Sequence, residues 1–136
     1  MSAPDARLIS IVDDDESVRE AITSLLRSAG FNAKSFASAE IFLHSPLLRE
    51  TACLILDVRM PGLSGPELQR HLVAKGRRVP VIFITAHGDG KVQAEVMGAG
   101  AVDFLSKPFS EEALLRAVSS GLGKEAGNED FKQRNK

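Results

Sequence analysis

Residues 53–62 read Cys53-Leu54-Ile55-Leu56-Asp57-Val58-Arg59-Met60-Pro61-Gly62, an unbroken apolar run that ends in an aspartate and a turn. Hydrophobicity without alternation is the mark of a strand covered on both faces, as in a parallel sheet. Leu8-Ile9-Ser10-Ile11-Val12 and Val81-Ile82-Phe83-Ile84 have the same character, and residues 32–36 and 101–106 are weaker strand candidates. Helical periodicity fills the intervals. Val18, Ile22, Leu25 and Leu26 repeat on one face, and Gly30 is placed to end that helix in a left-handed turn. Ser38 is a candidate cap for a short second helix. Ser64-Gly65-Pro66-Glu67 matches a capping box, with proline tolerated in the first turn. A fourth helix over residues 91–97 is bracketed by glycines, and Ser110 opens a fifth that carries Leu114, Leu115 and Val118. Strict strand–helix alternation predicts an α/β fold: one doubly wound parallel sheet with right-handed crossovers and helices on both faces. Its functional crevice is expected beyond the carboxyl ends of the strands.

Polar residues fall at those ends. Asp13 and Asp14 follow the first strand, Asp57 ends the third, Thr85 the fourth and Lys107 the fifth. Clustered carboxylates repel one another unless a hard cation joins them, and magnesium takes such oxygen ligands while leaving positions for phosphoryl oxygens. Asp57 could then act as a nucleophile that forms an acyl phosphate, with Lys107 and Thr85 contacting the transferred group. Each residue also has an ordinary reading. Asp15 and Glu16 are best read as a helix-capping acidic run, which Asp13 and Asp14 taken alone would fit equally well. Asp57 could be a turn residue, Thr85 a plain strand end and Lys107 a solvated loop lysine. Coincidence at four strand ends favours the site.

The rest of the composition narrows the class. The chain has 136 residues, 17 basic against 18 acidic, and one cysteine. Balanced charge gives no global field to steer nucleic acid or an anionic membrane. No apolar run approaches the ~20 residues of a membrane span. Residues 1–5 lack the pattern of a secretory signal, and lone Cys53 fits a reducing cytoplasm as a small core residue. The expected organisation is an N-terminal extension over 1–7, a globular domain over 8–122 and a polar tail or linker over 123–136.

The ordered set Ile11-Val12-Asp13-Asp14, Asp57-Val58-Arg59-Met60-Pro61-Gly62, Thr85-Ala86 and Lys107-Pro108-Phe109 resembles the receiver domain of two-component response regulators. The resemblance implies a flavodoxin-like fold with strand order 2-1-3-4-5. It implies that Asp57 is the phosphoacceptor for a sensor histidine kinase, with Thr85 and Lys107 contacting the phosphoryl group. It implies Mg2+ held by Asp13, Asp14, Asp57 and the Arg59 backbone carbonyl, and a cis bond before Pro108. Thr85 and Phe104 match the family's switch pair, which would couple phosphorylation to the face of helix 4, strand 5 and helix 5. That face is also where a homodimer on phosphorylation would form. Residues 57–61 and Gly100-Ala101-Val102-Asp103-Phe104 look like the transcription-activating branch, whose attached helix-turn-helix domain would make any DNA contact. The polar tail fits a linker to such a domain, and it also fits a single-domain regulator that acts by docking. Arg59 and His87 are candidates to tune phosphate lifetime; His44 and His71 read as surface residues.

Other functions fit less well. A phosphohydrolase of the haloacid-dehalogenase type wants an aspartate two residues past the nucleophile, where this chain has Arg59. A flavin module wants a phosphate loop in place of Asp13-Asp14-Asp15-Glu16 and aromatics for the ring, and there is no Trp or Tyr. A degenerate receiver would lack one of the acceptor, metal or lysine residues, all of which are present.

Overall fold

The computed structural model describes residues 5–86 and 90–134, with Asp5 and residues 124–134 described by backbone alone. In chain order the elements are β1 (Asp5–Val12), α1 (Glu16–Ser28), β2 (Phe31–Phe36), α2 (Ala39–Leu43), a 3-10 helix (Pro46–Glu50), β3 (Thr51–Asp57), α3 (Gly65–Ala74), β4 (Val81–Thr85), α4 (Gly90–Gly98), β5 (Asp103–Ser106) and α5 (Glu111–Arg134). The strands form one parallel sheet in the order β2-β1-β3-β4-β5.

Period-two alternation along each strand divides the core into two layers. Ile9, Ile11, Ile55, Ile82 and Ile84 face α1 and α5, where they meet Ile22, Leu26, Leu114 and Val118. Val12, Leu54, Leu56 and Phe83 face the other way, against Phe42, Leu68, Leu72 and Val96 of α2, α3 and α4. Every residue of β3 is buried, as its continuous apolar run requires. Ser10, a hydroxyl inside that strand core, is satisfied by Thr51 Oγ1 at 2.7 Å, which itself donates to the Leu47 carbonyl at 2.9 Å.

The helix ends follow the expected local chemistry. Asp15 accepts from the Ser17 and Val18 amides at 2.9 and 3.3 Å, Ser38 from Ile41 at 3.1 Å and Ser110 from Ala113 at 3.0 Å. Gly30 takes φ +92° just beyond α1. At α3 both halves of the capping box form: the Glu67 amide donates to Ser64 Oγ at 3.3 Å and the Ser64 amide to Glu67 Oε1 at 3.0 Å. Ser64→Ala removes the hydroxyl that accepts the Glu67 amide and is expected to cost about 1 kcal/mol. Urea midpoints of the two proteins would measure it, and an unchanged midpoint would show that the box contributes nothing.

The largest differences from the sequence reading lie at the two ends of the chain and before β3, while β5 forms over Asp103–Ser106 within the expected 101–106. β1 starts at Asp5, so residues 5–7, expected in an extension, join the sheet; the register with β2 shifts between Asp5 and Leu8. The 3-10 helix at Pro46–Glu50 was not foreseen, although Ser45 caps it through Leu47 at 3.1 Å with proline in its first turn. Helix α5 continues to Arg134, through residues expected as a non-periodic tail. Lys124, Glu125, Ala126 and Lys132 are good helix formers while Gly127, Asn128 and Asp130 are poor ones, and the sequence there has no apolar periodicity to announce a helix.

Candidate functional site

Parallel strands bring their carboxyl ends to one rim, and the polar residues found at the ends of the apolar runs meet there. The Asp13 amide extends the β1–β2 ladder by donating to the Phe36 carbonyl at 3.2 Å, which turns its side chain into the rim, fully buried. Asp13 Oδ1 accepts from the Asp15 amide at 2.9 Å, and Oδ2 accepts from Lys107 Nζ at 3.0 Å. Arg19 Nη1 donates to the Asp13 carbonyl at 2.8 Å, tying the start of α1 to the same corner. Asp57 ends β3 and is buried; the next amide, Val58, donates to the Ile84 carbonyl at 3.1 Å. Thr85 is buried at the end of β4, and its carbonyl accepts the Lys107 amide at 2.7 Å. The Lys107–Pro108 peptide is cis. Lys107 Nζ also stands 3.8 Å from Asp57 Oδ1.

One carboxylate oxygen each from Asp13, Asp14 and Asp57 lies within 4.8 Å of the others, with Asp14 exposed at the mouth. Burial pushes the Asp57 carboxyl up to about 7; the Asp13 charge adds to the rise, Lys107 opposes it, and Asp14 adds a smaller push. Three carboxylates against one ammonium leave the cluster short of positive charge. A hard, oxygen-seeking dication fits this donor set.

Of the other residues singled out in the sequence, Arg59 is exposed just past β3, and Phe104 is buried on β5 in the layer that holds Phe83 and Val96. His87 lies outside the described residues. Two features went unnoticed in the sequence. Gly65 opens α3 directly beneath the Asp57 carbonyl, with its amide donating to Val58 O at 3.0 Å. Glu40 reaches from α2 to the loop after Asp57. Neither contact has a local sequence signal, because each joins residues that only the tertiary fold brings together.

A doubly wound five-stranded sheet with an acidic, lysine-bearing rim defines a flavodoxin-like signalling module of the receiver type. The chain belongs to the response regulator receiver domain family, which it matches over residues 9–119. It is 48% identical over 117 residues to response regulator protein TodT of Pseudomonas putida, covering 86% of this chain and 52% of TodT. It is 42% identical over 123 residues to transcriptional regulatory protein FixJ of Azorhizobium caulinodans, covering 90% of this chain and 58% of FixJ. The chain thus spans little more than half the length of these relatives. Among solved structures, response regulator StyR superposes with a TM-score of 0.85 at 45% identity, covering 98% of this chain and 66% of StyR. The crystal structure of FixJ-N superposes with a TM-score of 0.78 at 38% identity, covering 90% of this chain and 96% of FixJ-N. Among the described residues no helix is long and apolar enough to cross a membrane.

Proposed function

We propose that Asp57 accepts a phosphoryl group from the phosphohistidine of a sensor histidine kinase. The observation that carries this reading is the position of Asp57 at the end of β3, 3.8 Å from Lys107 Nζ and grouped with the carboxylates of Asp13 and Asp14. An ionised Asp57 oxygen attacks phosphorus in line, the phosphorus–nitrogen bond breaks, and its electron pair leaves with the imidazole. Burial opposes that ionisation and the Lys107 ammonium favours it. Asp13, Asp14, Asp57 and the Arg59 backbone carbonyl would hold Mg2+, which supplies neutralisation of charge on the phosphoryl oxygens. Lys107 exchanges its contact with Asp13 for a phosphoryl oxygen, and the Thr85 hydroxyl donates to another. Hydrolysis of the resulting acyl phosphate, catalysed by the same domain, resets the site, and Arg59, two residues past the acceptor, would tune its rate. Beyond this self-directed chemistry the domain is a switch.

Thr85 and Phe104 connect the site to the α4–β5–α5 face. Phe104 already lies in the core layer, so the switch would shift the balance between two packings of Thr85 and Phe104. The names of the relatives support transcription as the output, through an output domain that makes the DNA contact, with a homodimer on phosphorylation. The setting would be the cytoplasm.

Intact mass after incubation with acetyl phosphate tests the reading. The wild-type chain should gain one phosphoryl group when magnesium is present and none when it is chelated. Magnesium alone should raise the melting temperature, because it binds the folded state. A folded protein that gains no mass, with its melting unmoved by millimolar magnesium, would remove the basis for the phosphoacceptor role.

A further inference from the structure

We infer that Glu40 is a positioning residue for this site: from α2 it clamps the loop between β3 and α3 that carries Arg59. The inference deepens the phosphoacceptor reading and rests on it. Helix α2 is held firmly enough to act as a post. Ser38 caps it, and Phe42 packs edge-on against Phe36 of β2 with ring centroids 5.2 Å apart at 67°. From its first turn Glu40 Oε2 accepts the Leu63 amide at 2.9 Å, a contact across 23 residues of sequence.

Gly62 makes room for that carboxylate. Its φ of +77° favours glycine on conformational grounds, and a Cβ there would run into Glu40 Oε2 and lie 3.3 Å from Glu40 Cδ. The neighbouring donors are taken as well. The Ser64 amide goes to Glu67 Oε1 at 3.0 Å, Gly65 closes on the Val58 carbonyl at 3.0 Å, and Val58 is bonded to β4. The segment 59–62, which carries the Arg59 carbonyl and is anchored in the core by buried Met60, runs from Val58 to the Leu63 clamp. The hydrogen bond from Leu63 holds the Glu40 carboxyl below its usual range, against a smaller push from Glu67, so Glu40 is an ionised acceptor at neutral pH. A charged acceptor makes the stronger hydrogen bond. Partners that orient a metal ligand commonly set metal affinity by a factor of ten or more.

The test compares wild type, Glu40→Ala and Glu40→Gln as the full chain, with Mg2+ alone as the probe. The readouts are hydrogen exchange of the Leu63 amide and magnesium affinity by calorimetry. Glu40 is exposed, so all three proteins should fold. Glu40→Ala should lose protection at Leu63 and bind magnesium about tenfold more weakly. Glu40→Gln, whose amide oxygen still accepts, should stay within about threefold of wild type. Equal magnesium affinity in wild type and Glu40→Ala would overturn the clamp alone. A wild type that binds no magnesium would overturn the metal assignment and the clamp together. A Leu63 amide that exchanges freely in wild type would overturn the clamp whatever the metal does.

Discussion

Asp57→Asn should take up no phosphoryl group from any donor, and without divalent ions it should be more stable than wild type at about pH 8. The first half follows from chemistry: the amide keeps the shape of the carboxyl but supplies no anionic oxygen to attack phosphorus. The second follows from the environment of Asp57. Its folded-state pKa is raised from an ordinary 3.8 to about 7, chiefly by burial and then by Asp13. Between those values the folded chain holds a proton that the unfolded chain has already released. Unfolding therefore becomes easier as pH rises through that window, and above it the penalty is complete. The ceiling is about 4 kcal/mol, and with Lys107 nearby and water at the rim about 2 kcal/mol is the expected gain for the asparagine variant. Below about pH 4 both states of wild type are protonated and the difference should vanish. Urea midpoints of the two proteins at both pH values, with a chelator present, measure the effect. Saturating magnesium should reverse the order, since the wild-type carboxylates then gain the metal and asparagine does not. Equal stability at both pH values would mean that Asp57 is not held in a costly ionised state, and the carboxylate cluster would need a different account.

The sheet and most of its site could be read from the sequence for one reason. In a parallel sheet, a functional residue at a strand end is announced locally, by an apolar run that stops at a polar side chain. Asp13, Asp57 and Thr85 carry that signal, and topology alone then gathers them with Lys107. The capping box at Ser64 and the left-handed Gly30 are equally local. The contacts that went unread are not local. Nothing in the composition of α2 points Glu40 at Leu63, and the reason for Gly65 lies in how α3 abuts the end of β3. The extension of α5 escaped for a different cause. Its sequence mixes helix formers such as Lys124, Glu125 and Ala126 with Gly127, Asn128 and Asp130 and repeats no apolar stripe, and periodicity is the signal that distinguishes a helix from a polar tail. Residues 5–7 were missed because Asp-Ala-Arg has weak strand preference, which pairing with β2 overrides.

Gly65→Ala should be among the most damaging single methyl additions in the chain, though helix preference alone argues for the opposite. Gly65 is the first residue of α3, and alanine is the better helix former by about 1 kcal/mol. Its φ lies outside the left-handed region, so the backbone conformation itself would accept alanine. The obstacle is contact. A Cβ at Gly65 would run into the Asp57 carbonyl oxygen and stand 3.1 Å from both the Asp57 carbonyl carbon and Phe83 Cε1. Neither neighbour can yield easily. Phe83 is fully buried, and the end of β3 is bonded to β4 through Val58 and to α3 through Gly65 itself. Relief requires α3 to move away, which stretches the 3.0 Å bond between the Gly65 amide and Val58 and drags on the acceptor aspartate. Overpacking of this kind typically costs 1–3 kcal/mol, and with the hydrogen bond weakened about 3 kcal/mol is expected. Gly98→Ala is the control: it lies at the end of α4 with nothing within 4 Å of its Cβ position, so it should be neutral or slightly stabilising. Phosphoryl uptake, measured where all three proteins remain folded, should fall in Gly65→Ala and stay unchanged in Gly98→Ala. If Gly65→Ala proved as stable and as reactive as wild type, the end of β3 would be free to shift. The close packing of α3 beneath Asp57 could then not be what fixes the acceptor in place.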